Sequence, residues 1–265
     1  MSTEFKTTAH EWFEDGMRAY GQKNYEEAVK CFTRALELNP TDTGIYNNRG
    51  NAYKSIGANE EAIADYTQAI KINPKHEVAY YNRGIVYLLQ GEYDKAIEDY
   101  TQAIKINPNH AMAYYNRGVT HSHKGKYDKA IADYTKAIEI NPNHVDAYHN
   151  RGVAYRRKGE YDGAIYDYSQ AIRIDPKYID AYHNRGVAYS HRGDHSQAIE
   201  DYTKAIELNQ GYAEAYYNRG LAYCFKKDYQ SAWKDVSTAA ELGHRVDPQF
   251  FEDLRKIAGE RLTNP

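Results

Sequence analysis

Five prolines, Pro40, Pro74, Pro108, Pro142 and Pro176, stand 34 residues apart. A fixed interval of that size means that one supersecondary unit is repeated and stacked on its neighbours. Such an array has no single core that must stop growing, so the 265 residues need not divide into ordinary globular domains. The function is then to be sought on a surface that recurs with the period.

The bulk properties narrow the classes. A net charge of −3 gives no drive toward nucleic acid or an anionic membrane. The two cysteines, Cys31 and Cys224, lie far apart and form no CxxC pair, so they read as small packing residues. The start, MSTEFKTTAHEW, carries no apolar secretory core, and no apolar run reaches bilayer length. These features predict a cytoplasmic protein with no cofactor and no nucleic-acid or membrane partner.

The chain can be aligned on itself in windows beginning at Ala9, Thr43, Glu77, Ala111, Val145, Ile179 and Ala213. Position 4 of each window is Trp12, then Tyr46, Tyr80, Tyr114, Tyr148, Tyr182 and Tyr216. Position 8 is always glycine, from Gly16 to Gly220, and positions 20 and 27 are always alanine. Position 24 is Phe32, then Tyr66, Tyr100, Tyr134, Tyr168 and Tyr202, and finally Val236. The pattern Y-x2-R-G-x2-Y … A-x3-Y … P resembles that of the tetratricopeptide repeat family, over about residues 9–246. The resemblance implies an all-α, right-handed superhelical solenoid of seven helix pairs plus a C-terminal capping helix. Its expected divisions are an N-terminal extension over 1–8 and repeats over 9–42, 43–76, 77–110, 111–144, 145–178, 179–212 and 213–246. The capping helix is expected over 247–262.

The residue pattern alone also gives paired helices. Positions 4, 8 and 11 share one helical face, and positions 20, 24, 27 and 28 share another. Gly57, Gly91, Gly125, Gly159 and Gly193 mark the turn between them. An Asn-Pro or Asp-Pro pair ends the second helix in five repeats, because the residue before proline avoids the α region. Of 28 tyrosines, 21 fall at positions 4, 11, 17 and 24, so the aromatic excess reads as core rather than as a ligand platform. The termini differ: Trp12, Phe13 and Phe32 open the array, and Asp247-Pro248 starts a fifteenth helix. Its stripe of Phe250, Phe251, Leu254, Ile257 and Ala258 is expected to cover the last repeat. Glu252, Arg255, Lys256 and Glu260 are expected to face solvent.

Position 7, leucine in the family, is Arg49, Arg83, Arg117, Arg151, Arg185 and Arg219. Position 23 of the same repeats is Asp65, Asp99, Asp133, Asp167, Asp201 and Asp235, and repeat 1 lacks both residues. Two positions that change together are expected to meet, so a forked Arg–Asp pair should recur along the stack.

Positions 2, 6, 9 and 13 fall about 140–200° away from position 4 around the first helix. The resemblance makes this face the concave lining of the superhelix. Position 6 is Asn48, Asn82, Asn116, Asn150, Asn184 and Asn218. A carboxamide both donates and accepts, so such a row can grip an extended peptide backbone without reading its sequence. It is similar to the asparagine ladder of the O-GlcNAc transferase repeats. The plainer reading is that each amide bonds to a neighbouring helix and sets repeat spacing. Position 5 places Tyr81, Tyr115, His149, His183 and Tyr217 on the groove flank, and position 9 adds Ile85, Val119, Val153, Val187 and Leu221. Positions 12 and 13 include Arg156-Arg157, Ser190-His191 and Cys224-Phe225, with Arg157 and His191 taken as groove residues. This mixture predicts partners with some acidic character, bound more tightly when histidines are protonated. His121-x-His123 raises a metal reading, but residues two apart on a helix point to different faces.

The carboxylate clamp of the family's chaperone-binding members needs lysine at position 5 and a basic residue at position 6, and neither occurs here. No nucleotide loop or nucleophile motif is present, so the expectation is not an enzyme but an interaction scaffold or adaptor. It would hold an extended protein or peptide segment in its concave groove. The alternative is a self-assembling homo-oligomer that uses its ends or groove.

Overall fold

The computed structural model describes residues 8–262, with side chains through residue 259. Apart from Thr8, the extension expected over residues 1–8 lies outside the described residues, as does the solvent-facing placement of Glu260. Among the described residues there are fifteen α-helices and no strand. Two compact units divide at Ile140. The first holds α1 (Ala9–Gly21), α2 (Tyr25–Leu38), α3 (Thr43–Ser55), α4 (Asn59–Ile72), α5 (Glu77–Leu89), α6 (Tyr93–Ile106), α7 (Ala111–His123) and α8 (Tyr127–Ile140). The second holds α9 (Val145–Arg157), α10 (Tyr161–Ile174), α11 (Ile179–Arg192), α12 (His195–Leu208), α13 (Ala213–Phe225), α14 (Tyr229–Glu241) and α15 (Pro248–Leu262). Each odd-numbered helix through α13 packs on the next, giving four pairs in the first unit and three in the second.

The pairing rests on one contact repeated seven times. A Cβ built on the position-8 glycine would stand 2.5–2.8 Å from the position-24 side chain, from Gly16 against Phe32 to Gly220 against Val236. No real Cβ tolerates that separation, so the glycine is what lets the ring lie across the first helix. The five tyrosines Tyr66, Tyr100, Tyr134, Tyr168 and Tyr202 are buried there. Each such ring contributes roughly 2 kcal/mol of burial. Among their hydroxyls, that of Tyr66 donates to Asn51 Oδ1 at 2.8 Å, while that of Tyr100 is buried without a partner among the described residues.

The turn glycines from Gly57 to Gly193 take φ of +69° to +91°, the left-handed conformation that ends a helix without cost at glycine. In repeats 1 and 7 the same conformation is forced on Lys23 and Lys227, at φ of 60° and 61°. The second helices end on an extended Asn or Asp, such as Asn73 and Asp175. Asn209 does the same at φ −144° without a following proline, so the Asn-Gln step of repeat 6 suffices.

The first-helix core differs from the pattern expected at positions 4, 8 and 11. The fully buried residues flanking glycine are at positions 3 and 10, such as Ala79 with Val86 and Ala181 with Ala188, while the position-4 tyrosines are mostly half-buried. The physical reason is that neighbouring helices close on both sides of each first helix, so small residues occupy the closest approach. At the C-terminal end, Asp247 Oδ1 accepts from Phe250 N at 2.8 Å and starts α15. Leu254 is buried against Val236, Trp233 and Phe251. Ile257, expected in the covering stripe, is 44% exposed, because the i, i+4 pair Leu254 and Ala258 forms the contact line and Ile257 falls beside it.

Candidate functional site

The arginine–aspartate pairs form a ladder inside each unit. Every arginine from Arg49 to Arg219 is bidentate on the aspartate 16 residues later, Nε to Oδ2 at 2.6–2.9 Å and Nη2 to Oδ1 at 2.7–2.8 Å. Nη1 then reaches back to a hydroxyl on the preceding repeat, Thr33, Thr67, Thr101, Ser169 or Thr203, at 2.9–3.0 Å. One guanidinium thus ties its own helix pair together and binds that pair to the one before. The sequence pattern anticipated the pair but not the hydroxyl, whose signal was an unbroken run of Thr or Ser at position 25. The last hydroxyl, Ser237 Oγ, is buried without a partner, as expected where no further arginine follows. The guanidiniums also lie 5.6–5.8 Å from the position-4 ring centroids, which gives those half-buried tyrosines their role. Burial raises the Asp65, Asp99, Asp167 and Asp201 carboxyls above their ordinary value, with the paired arginine opposing it.

The asparagine row is more varied. Asn48 and Asn184 donate from Nδ2 to the carbonyls of Gly44 and Asp180 on their own helices, at 2.8 and 2.9 Å. Asn82 donates to Asn47 Oδ1 at 2.9 Å, and Asn116 to the Tyr81 hydroxyl at 3.0 Å, each on the preceding repeat. Asn218 Nδ2 lies 3.0 Å from His183 Nε2, which must accept. Asn150 is half-buried at the same position. Asn82, Asn116 and Asn218 therefore bond to a neighbouring repeat, while Asn48 and Asn184 bond within their own helices. Each bond leaves one N–H and the carboxamide oxygen of the asparagine, which it holds in a fixed direction.

The position-5 side chains pack against rings of neighbouring helices. Tyr81 packs between Tyr100 and His110, His149 between Tyr168 and Tyr178, and His183 between Tyr202 and Tyr212, with centroids 4.6–6.0 Å apart. Tyr115 lies 5.9 Å from Tyr134, and Tyr217 lies 4.4 Å from His244. These rings fill the space between consecutive pairs. Burial pushes the His149 and His183 imidazoles below the ordinary histidine value, although nearby carboxylates oppose it. The acid-strengthened binding expected of these two histidines is therefore opposed by their burial.

The second unit contains a groove of about 440 Å³ lined by α9, α11, α12 and α13. It brings together Asn184, Asn218, His183 and His191 from the expected set, with Val187, Leu221 and Phe225 as apolar walls and Glu214 as an acidic one. Arg157 is exposed and is not part of the lining; Arg156 lines it instead. His191 stacks flat on Tyr161, 5.3 Å away with planes 1° apart, and His123 and Phe225 stack the same way on Tyr93 and His195. His121 points inward to within 3.8 Å of Asp133 Oδ2 while His123 lies on Tyr93, so the two histidines diverge. Among the described residues no group of three or more His, Cys, Asp or Glu could hold a metal ion, and no helix is long and apolar enough to cross a membrane.

Family models described as tetratricopeptide repeat match residues 78–110, 111–144 and 179–212, and again 133–166 and 201–234. A TPR repeat model matches 18–57, 50–91 and 154–191. Among solved structures, YrrB, described as a TPR protein with an unusual peptide-binding site, is 27% identical with a TM-score of 0.63, covering 71% of this chain and 96% of its own. The MamA protein is 30% identical with a TM-score of 0.61, covering 65% and 94%. The Protein STIP1 homolog of Dictyostelium discoideum is 37% identical over 59 residues, which are 22% of this chain and 9% of that protein. With its repeats matched from residue 18 to 234 and built as helix pairs throughout, the chain belongs to the tetratricopeptide repeat family, whose members mediate protein–protein interactions.

Proposed function

We propose that this protein is a non-enzymatic scaffold or adaptor that holds an extended segment of a partner along the groove-facing sides of its first helices. The observation that carries the reading is the groove of the second unit. There Asn184 and Asn218, one period apart, line the same space as Val187 and Leu221, also one period apart. An extended chain has backbone amides that suit the oriented carboxamides and side chains that suit the apolar walls. Each amide contact is worth a net ~0.5–1.5 kcal/mol, so several must act together. The likeness to YrrB, which is described as having a peptide-binding site, supports the same use of the fold.

The test is affinity capture from the native lysate with the wild type and an Asn184→Ala/Asn218→Ala variant of matched melting temperature. A partner that is held by the wild type and lost by the variant is the expected result. A partner held equally by both would remove the groove from the account. Capture of the protein itself alone, with a mass that grows with concentration in light scattering, would replace the partner with a second copy of this chain.

A further inference from the structure

Arg156 stands out among the groove residues because, although it reaches the Tyr168 hydroxyl, it is a charged donor whose Nε the protein leaves without an acceptor. It sits in the last turn of α9 and is half-buried. It lines the 440 Å³ groove with Asn184, Asn218, Val187 and Leu221. Its Nε is buried and has no hydrogen-bond acceptor among the described residues. Each arginine at position 7, by contrast, has both Nε and Nη2 on an aspartate and is fully committed to the fold. The charge of Arg156 reaches His149, Tyr168, His183 and Tyr202, which surround it on α9, α10, α11 and α12. Burial pushes the Tyr168 hydroxyl up to about 12, with the charge of Arg156 and its hydrogen bond to that hydroxyl opposing it. Two phenols and two imidazoles supply no full negative charge at neutral pH. Carboxylates that act on the same imidazoles are Glu214 in the groove lining and Asp180 and Asp146 at the starts of α11 and α9.

A buried guanidinium N–H without an acceptor is costly, and an incoming anion that supplies one removes that cost on binding. Charge count decides which anion. One guanidinium that shares its groove with Glu214 suits a single negative charge rather than the dianion of a phosphate. The apolar positions Val187, Leu221 and Phe225 beside it suit apolar neighbours in the bound chain.

We propose that Arg156 anchors a carboxylate side chain of the bound segment, so that the second unit selects an extended peptide carrying one Asp or Glu among apolar residues. This rests on the groove reading above and gives it a sequence preference that the amide row cannot supply.

The experiment is selection of a phage-displayed random dodecapeptide library on the full-length protein, followed by binding of the enriched peptide measured by fluorescence anisotropy. The expected result is enrichment of Asp or Glu at one position. Affinity should then fall about tenfold or more on Arg156→Gln, and equally on Glu→Gln in the peptide, with no further loss when both are changed. Arg156→Lys should recover part of the loss, since it keeps the charge without the fork. Melting temperature monitors folding of each variant. Enriched peptides without an acidic position, or with an acidic preference that survives Arg156→Gln, would overturn the anchor while leaving the groove standing. A phosphorylated version of the peptide that binds more tightly through Arg156 would reassign the ligand to phosphate. Failure to enrich any peptide would overturn the groove reading and the anchor together.

Discussion

The two units share a scaffold and differ in what their first helices present outward. In both, a glycine admits a buried ring and an arginine is forked onto an aspartate. At positions 2 and 13 of the first unit, Val78, Leu89 and Met112 are exposed apolar residues. The matching positions of the second unit are Asp146, Asp180, Glu214, Arg157 and His191, with Phe225 as the exposed apolar exception. Position 5 shifts from tyrosine at Tyr81 and Tyr115 to histidine at His149 and His183, then returns to tyrosine at Tyr217. The lesson is that the positions of the glycine–ring contact and the ion pair are held constant, while position 5 and the outward positions vary, so the proposed partner preference is assigned to the variable set.

If the scaffold is truly common, breaking it should cost the same in either unit. Arg83→Leu and Arg185→Leu should each destabilise by about 2–4 kcal/mol, because a buried aspartate loses its only forked partner. Adding Asp99→Leu or Asp201→Leu should recover part of the loss, since the stranded charge is then gone. Urea unfolding of the singles and doubles checks this. An unequal cost between units would mean that the ladder is not the shared frame.

Gly84→Ala and Gly186→Ala come next, at about 1–3 kcal/mol each, since the new Cβ would stand 2.7–2.8 Å from the Tyr100 or Tyr202 ring. Thermal melts of the two variants should shift together. A smaller change of opposite sign is expected at the turns. Lys23→Gly should stabilise by about 1 kcal/mol by removing a side chain from the left-handed conformation. Gly57→Lys should undo the equivalent advantage.

The acid response should separate the units. Burial holds His149 and His183 below the ordinary value of 6.5, so below that pH the unfolded chain binds protons that the folded one resists. Stability is then complete above about pH 7 and falls as pH drops through 6.5 toward the folded values. His149→Tyr/His183→Tyr, which gives this unit the tyrosines of the first, should flatten that acid limb. Half-buried His110 and His144 and buried His121, which burial also holds low, will keep part of it. A limb of unchanged steepness would show that these two histidines do not govern it.

Much of this scaffold was legible because it repeats. The 34-residue interval, the joint change at positions 7 and 23, and the turn glycines are visible without coordinates, and each has one physical meaning. What was not legible depends on which side of a helix meets a neighbour. The first helices are closed in from both sides, which a single apolar stripe does not convey, so Ala79 and Val86 were missed. The choice between Arg156 and Arg157 turns on one step of 100° around α9, finer than the pattern resolves. Position 25 was passed over because a threonine on a helix surface carries no signal until the arginine that reaches it is known.

The central claim is that the partner lies on the groove side of the first helices. A photo-crosslinking residue placed at Phe225, in the groove and 70% exposed, can be compared with one at Tyr166, on α10 outside it and 59% exposed. After irradiation in the native lysate, the account predicts a covalent adduct with a partner at 225 and none at 166. Adducts at 166 and none at 225 would contradict it.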